Sequence, residues 1–172
     1  AMIDTAEGGH LETEQILQRM REIAVQASND TNSVDDRKNL QTEMDALVTE
    51  IDRIAHVTTW AGNTVMDGDG DASSTKTFSL QVGAATGTKN QITVAVKSLS
   101  SATLGLTTSA SSDLNKMLVV ADADYTSANH DRDVDADGDS TTTNDTALEN
   151  SLKSITVIDA AIKTVNTQRS EL

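Results

Sequence analysis

Apolar residues recur at helical spacing in three separate segments of this 172-residue chain. The clearest segment is 33–58, where steps of four and three residues separate Leu40, Met44, Leu47, Ile51 and Ile54. Such a repeat keeps one face of a helix apolar over many turns. It predicts a long helix with a seam like that of a coiled coil.

Two further stripes flank this segment. In residues 10–28 the stripe consists of Ile16, Met20, Ile23 and Ala27, widened by Leu17 and Ala24. In residues 146–172 it consists of Leu148, Leu152, Ile155, Ile158, Ile162 and Val165. Both patterns predict amphipathic helices, and a helix at each end of the chain predicts that the last one returns beside the first two.

The middle of the chain follows a different pattern. Residues 78–82 and 91–96 alternate in polarity, which predicts two strands, and residues 83–90 supply the turn of a β-hairpin region spanning about 60–106. Residues 107–145 are rich in Ser, Thr, Asp and Asn and are predicted to form a variable surface insertion. The predicted fold is a single α+β domain over 1–172, an elongated rod of long antiparallel helices, a helical bundle with a small hairpin region.

Composition narrows the function classes. Only 2% of residues are aromatic, and the chain lacks Pro, so long helices can run unbroken. A formal net charge of −14 repels phosphate backbones and anionic lipid surfaces, which argues against nucleic-acid or membrane partners. No apolar run approaches the length of a membrane span, and no signal segment opens the sequence.

An acidic repeat in the insertion is the only candidate metal site. Asp133, Asp135, Asp137 and Asp139 alternate around Gly138, like the opening of a calcium loop. The twelfth loop position is Asn144, where a full loop needs a bidentate Glu, so a solvated acidic tip is the alternative interpretation. The shorter alternation of Asp67, Asp69 and Asp71 fits a turn better than a metal site.

The sequence gives no sign of catalysis. His10, His56 and His130 lie in unrelated segments, and no zinc-protease motif, activated nucleophile or phosphate-binding loop occurs. We therefore expect no enzyme activity and no cofactor beyond the candidate Ca²⁺.

Several stretches resemble the bacterial flagellin family in order and spacing. They read TAEG at 5–8, QRMREIAVQASN at 18–29, EIDRIA at 50–55, LQVGA at 80–84 and IDAAIKTVNTQRSEL at 158–172. The resemblance implies a secreted, extracellular subunit of the flagellar filament that serves motility and packs against other flagellin subunits. The family's terminal segments lie outside this sequence, so we expect poor self-assembly from it alone.

The sequence departs from the family in two places. Gly8-Gly9-His10 stands where the family usually has Gly-Ala-Leu, and Trp60-Ala61-Gly62 stands where it has Phe-Asn-Gly. Two adjacent glycines cost a helix about 1–2 kcal/mol, which predicts that the first helix begins at His10.

The resemblance also implies an interaction surface. Gln18, Arg19, Ile23 and Gln26, with Glu43 on the second helix, match positions that the animal flagellin-sensing Toll-like receptor reads in many flagellins, a role in innate immune recognition. The alternative is that Arg19 and Glu43 form a solvated pair and Ile23 is a core or subunit-interface residue.

Two other functions remain open at this point. A cell-surface flagellin homologue could act as an adhesin or polysaccharide-binding protein, with the acidic insertion holding a cation that bridges to its ligand. A hook and filament junction protein would share the long helices, but residues 18–29 favour flagellin.

Overall fold

The computed structural model describes residues 1–29, 31–68, 75–84, 90–107 and 147–172. Three helices dominate the fold: α1 (Met2–Ala27), α2 (Val34–Val57) and α3 (Ala147–Ser170). Two small antiparallel sheets lie between α2 and α3 in the sequence. The predicted α+β class, three helices with a hairpin region, is confirmed, while the predicted insertion lies almost entirely outside the described residues.

The first helix begins at Met2, so the prediction of a start at His10 is wrong. It runs through both glycines because one of them is needed for packing. A Cβ on Gly9 would lie 2.0 Å from Cε of Met66, whereas a Cβ on Gly8 would meet nothing within 4 Å. Close contact with the fully buried Met66 offsets the low helix propensity at Gly9.

The start of α2 is fixed by a capping box. The Ser33 hydroxyl accepts a hydrogen bond from the backbone N–H of Asp36, and the Asp36 carboxylate accepts one from the backbone N–H of Ser33. The Ser33 hydroxyl also donates to Asp36 Oδ2 at 2.7 Å, and this bond, together with the one from the Ser33 backbone N–H, lowers the pKa of the Asp36 carboxyl. The prediction that this helix begins beside Ser33 is confirmed.

The buried face of α2 largely coincides with the predicted apolar stripe but includes Val48 in place of Leu47. The helix buries Leu40, Gln41, Met44, Val48, Ile51, Ile54 and Ala55. Leu47, which the spacing placed in the seam, is only partly buried. The single buried polar residue, Gln41, donates from Nε2 to Asp45 Oδ1 at 2.7 Å.

The third helix packs antiparallel to α1, and each helix contacts the other along much of its length. Arg21 Nε donates to Asp159 Oδ1 at 2.7 Å, and Arg169 Nη1 donates to Glu14 Oε2 at 3.0 Å. The predicted return of the last helix alongside the first is confirmed, but its predicted packing beside α2 as well is wrong, because α3 contacts α1 extensively and α2 hardly at all. Lys97 Nζ, 2.7 Å from Glu171 Oε2, ties its end to the hairpin region.

The predicted buried face of α3 is wrong in the first half of the helix. Leu148 and Leu152 are 40% and 52% exposed, whereas Asn150, Ser151 and Ser154 are buried. Small polar side chains allow α3 to approach α1 closely, and the two leucines then point away from the seam. The predicted stripe holds in the second half, where Ile158 and Val165 are fully buried.

Both sheets are two-stranded hairpins. Strands β1 (Thr59–Trp60) and β2 (Asn63–Thr64) are joined by Ala61 and Gly62, which both have positive φ as a two-residue primed turn requires. Strands β3 (Thr75–Gln81) and β4 (Gln91–Lys97) pair in register from Thr75 with Lys97 to Gln81 with Gln91. The second hairpin confirms the predicted strands, and the first was not predicted.

After β4, the segment 98–107 folds back onto α2. The Asp52 carboxylate accepts hydrogen bonds from the backbone N–H and the hydroxyl of Ser101, at 2.7 and 2.8 Å. Leu99, Leu104 and Leu106 are buried in the same core as the helices. No local spacing could reveal this anchor, since its two halves are 49 positions apart.

Candidate interaction surface

The predicted surface residues lie where α1 and α2 run side by side. Arg19 donates from Nε and Nη2 to Glu43 Oε1, at 2.8 and 2.6 Å, and from Nη1 to Glu22 Oε2 at 3.2 Å. Hydrogen bonds from Arg19 to Glu43 are the main reason that the pKa of the guanidinium is raised. The side chains are 48% and 42% exposed, so the pair is available to a partner.

The other three predicted residues divide between surface and core. Gln18 and Gln26 are exposed on α1; Gln18 directly precedes Arg19, and Gln26 lies four positions after Glu22. Ile23 is fully buried, although it lies four positions after Arg19. Its placement on the surface is therefore wrong for the isolated chain, and the core interpretation of Ile23 is the right one.

A shallow groove adjoins this pair. It has a volume of about 420 Å³ and is lined by Glu12, Gln15, Ile16, Arg19, Leu47, Glu50, Arg53 and Ile54. Partly buried Ile16 and Leu47, which pack against the core, contribute apolar surface to the groove. The groove joins an apolar strip to a rim of charged groups.

Arg19, Glu50 and Arg53 on the rim are already paired. Arg53 donates to both carboxylate oxygens of Glu50, at 2.7 and 2.5 Å. This pairing lowers the pKa of the Glu50 carboxyl and raises that of the Arg53 guanidinium. Paired surface charges present fixed donors and acceptors to a partner, which suits binding rather than proton transfer.

The remaining candidate chemistry does not assemble into a catalytic centre in the described ranges. His56 places Nδ1 2.8 Å from the carbonyl of Asp52 and Nε2 3.3 Å from Asp67 Oδ1. Both ring nitrogens thus face a carbonyl or carboxylate oxygen rather than a hydroxyl group that the ring could activate. This contact joins the end of α2 to the loop that carries Met66.

The calcium hypothesis falls on residues that the structure leaves undescribed. Asp133, Asp135, Asp137 and Asp139 lie outside the described residues, as do Asp69 and Asp71. Within the described ranges, no three or more His, Asp or Glu side chains are grouped so as to hold a metal ion. None of the helices in those ranges is both long enough and apolar enough to cross a bilayer.

Comparisons with known proteins find similar sequences over the segment that forms α1 and α2. Residues 1–71 match the family model described as the bacterial flagellin N-terminal helical region. A flagellin of Clostridium tyrobutyricum is 52% identical, and flagellin B of Vibrio cholerae is 46% identical, each over 68 residues. That segment is 40% of this chain and only 18% of either relative.

The fold extends the match beyond the first two helices. The crystal structure of Bacillus cereus flagellin aligns with 98% of this chain and 74% of its own chain, with a TM-score of 0.62 and 25% identity. The comparisons give no support to the adhesin or polysaccharide-binding alternative. The sequence match over the first 71 residues and the fold match over nearly the whole chain are both matches to bacterial flagellins.

Proposed function

We propose that the chain is part of a structural subunit of the bacterial flagellar filament, outside the cell, and that it works by packing against other copies rather than by catalysis. The observation that carries the proposal is the agreement between the flagellin match over 1–71 and the flagellin fold over 98% of the chain. A chain with this much of the fold and no assembled catalytic group in its described part fits a packing role.

Exposed apolar residues on the helices support this role. Leu11 and Val25 on α1 and Leu148 and Leu152 on α3 are between 40% and 52% exposed. On α3 the leucines face outward, and smaller polar residues occupy the seam with α1. Packing within one copy therefore does not explain why these positions carry large apolar side chains. Contact between copies would remove this apolar area from water.

The test is electron microscopy of the protein expressed from its complete coding sequence, after purification as monomer and seeding of assembly. The proposal expects helical filaments whose subunits place α1 and α3 in contact with neighbouring copies. Protein that stays monomeric under conditions in which a curated flagellin relative polymerises would refute it.

A second role, recognition by the animal flagellin-sensing Toll-like receptor, is favoured by the exposed pair of Arg19 and Glu43. The test replaces Arg19 by Ala, and the matched control replaces Arg21, which is equally exposed at 48% but pairs with Asp159 of α3. Signalling in a reporter cell line should fall for Arg19→Ala and not for Arg21→Ala. Equal signalling by the two variants would reject the receptor surface.

A further inference from the structure

A buried polar group lies between α1 and the end of α3, away from the groove. His10 is 1% exposed, Thr13 is fully buried one turn later on α1, and Gln168 of α3 is 6% exposed. His10 Nε2, Thr13 Oγ1 and Gln168 Oε1 are each buried without a hydrogen-bond partner. Buried polar atoms nearly always find a partner, so three such atoms in one seam require an explanation.

The contacts of the ring define the tautomer of the neutral imidazole. His10 Nδ1 lies 2.7 Å from the carbonyl oxygen of Ala6, and a carbonyl can only accept, so Nδ1 carries the hydrogen. Nε2 is then the atom that takes up a second proton. Gln168 faces the ring from α3 without completing a hydrogen bond to Nε2.

The charged groups around the ring act in opposite directions. Burial is the main cause that lowers the pKa of His10, and Arg169 of α3 lowers it further. The hydrogen bond to Ala6, the Gln168 side chain and the Glu7 carboxylate on α1 raise it but do not reverse the effect. Arg169 is held beside the ring by its ion pair with Glu14 at 3.0 Å, while the loop packed on Gly9 contributes the uncharged Met66.

We propose that His10 is an acid-sensitive latch, whose protonation at mildly acidic pH loosens the end of α3 from the first turns of α1 and leaves the seam between α1 and α2 closed. A cation at Nε2 has almost no access to water in the closed seam. Opening the end of α3 hydrates it.

The sign of the pH effect follows from linkage. The folded pKa lies below the value of about 6.5 for an unfolded histidine, so the unfolded chain binds more protons in the window beneath 6.5. The latch contribution to stability is therefore complete above that pH and is lost as the pH falls through the window. Asp4, Asp36 and Glu50, whose carboxyl pKa values are lowered, act only below their ordinary range of about 4.

The test measures urea unfolding of the 172-residue chain from pH 7.5 to 5.5 for wild type, His10→Leu and the exposed-histidine control His56→Gln. For wild type, the unfolding equilibrium constant should rise below pH 6.5 toward the limit of about tenfold per pH unit that one proton sets. The slope should be retained in His56→Gln and flattened in His10→Leu. Equal slopes in wild type and His10→Leu would overturn the proposal.

Should His10→Leu fail to fold, NMR of the wild-type chain decides the matter. The imidazole of His10 should titrate with a midpoint below 6.5, and the amide protection factors of residues 165–170 should fall with the same midpoint while those of residues 44–54 are retained. A midpoint at or above 6.5, or an equal loss of protection in both regions, would contradict the latch.

Discussion

The two helices beside α1 are held to it in different ways. The buried residues of α2 are apolar apart from Gln41, whereas those of α3 from Leu148 onward include four polar residues, Asn150, Ser151, Ser154 and Gln168, and three apolar ones, Ile158, Ala161 and Val165. The seam with α2 therefore gains most from removal of apolar area from water. The seam with α3 depends on close approach of small side chains and on contacts at its ends.

This difference distinguishes a helix that stabilises one copy of the chain from a helix that leaves apolar residues exposed to a partner. A helix that buries most of its large apolar residues keeps few for a partner: on α2 the strongly exposed ones, Val34 and Val57, lie at its two ends. A helix that buries serine and asparagine keeps leucines on its outer face, as α3 does with Leu148 and Leu152. The same comparison locates the acid-sensitive end in the α3 seam, where His10 and Gln168 are buried.

The largest expected loss of stability comes from a substitution in the apolar seam between α1 and α2. Ile51→Ala removes a fully buried side chain from α2 and should lower the free energy of unfolding by about 2–5 kcal/mol, because a cavity forms in addition to the lost transfer energy. Urea unfolding at pH 7.5 measures it, with the exposed Val57→Ala as control. A loss below that range would indicate that the α2 seam is not the main source of stability.

An exchange of large and small residues on α3 tests its inverted facing. Ser154→Leu should destabilise the chain by about 1–3 kcal/mol, because a larger side chain cannot fit where α1 and α3 approach closely. Leu152→Ser, on the outer face, should cost under about 1 kcal/mol, mainly through helix propensity. The facing would be disproved if Leu152→Ser were the more destabilising of the two.

The adjacent glycines give a matched pair of smaller effects. Gly8→Ala should stabilise the chain by about 1 kcal/mol, because nothing lies near the new methyl group and alanine favours the helix. Gly9→Ala should lack this gain, since its methyl group would displace the buried Met66. Thermal unfolding of both variants checks the contrast, and equal stabilisation would show that Met66 moves freely.

Sequence periodicity predicted the helices better than it predicted which way they face. The stripe of α2 was largely right because one face alone is apolar. On α3 two sets of residues could form the buried face: the leucines at 148 and 152 or the small residues at 151 and 154. Periodicity favours the larger residues, because it carries no information on how closely two helices approach. Burial of Ile23 shows the same limit within the candidate surface, since an i, i+4 relation to Arg19 fixes only a rough direction.

Other features depend on contacts between distant parts of the chain. The helical course through Gly8 and Gly9 depends on Met66, and the fold of residues 98–107 depends on Asp52. Neither partner is near in sequence, so local propensity gave the wrong start for α1 and no account of that segment. The pair between Arg19 and Glu43 was found because the flagellin resemblance singled out both residues.

The central claim is that the outer face of α3 serves contacts between copies. The direct measurement compares assembly and stability for wild type and the Leu148→Ser, Leu152→Ser double variant of the protein expressed from its complete coding sequence. The account predicts that the variant keeps most of its unfolding free energy, while its sedimentable filament fraction falls sharply at the same protein concentration. Filaments that form as readily as those of wild type would contradict the claim.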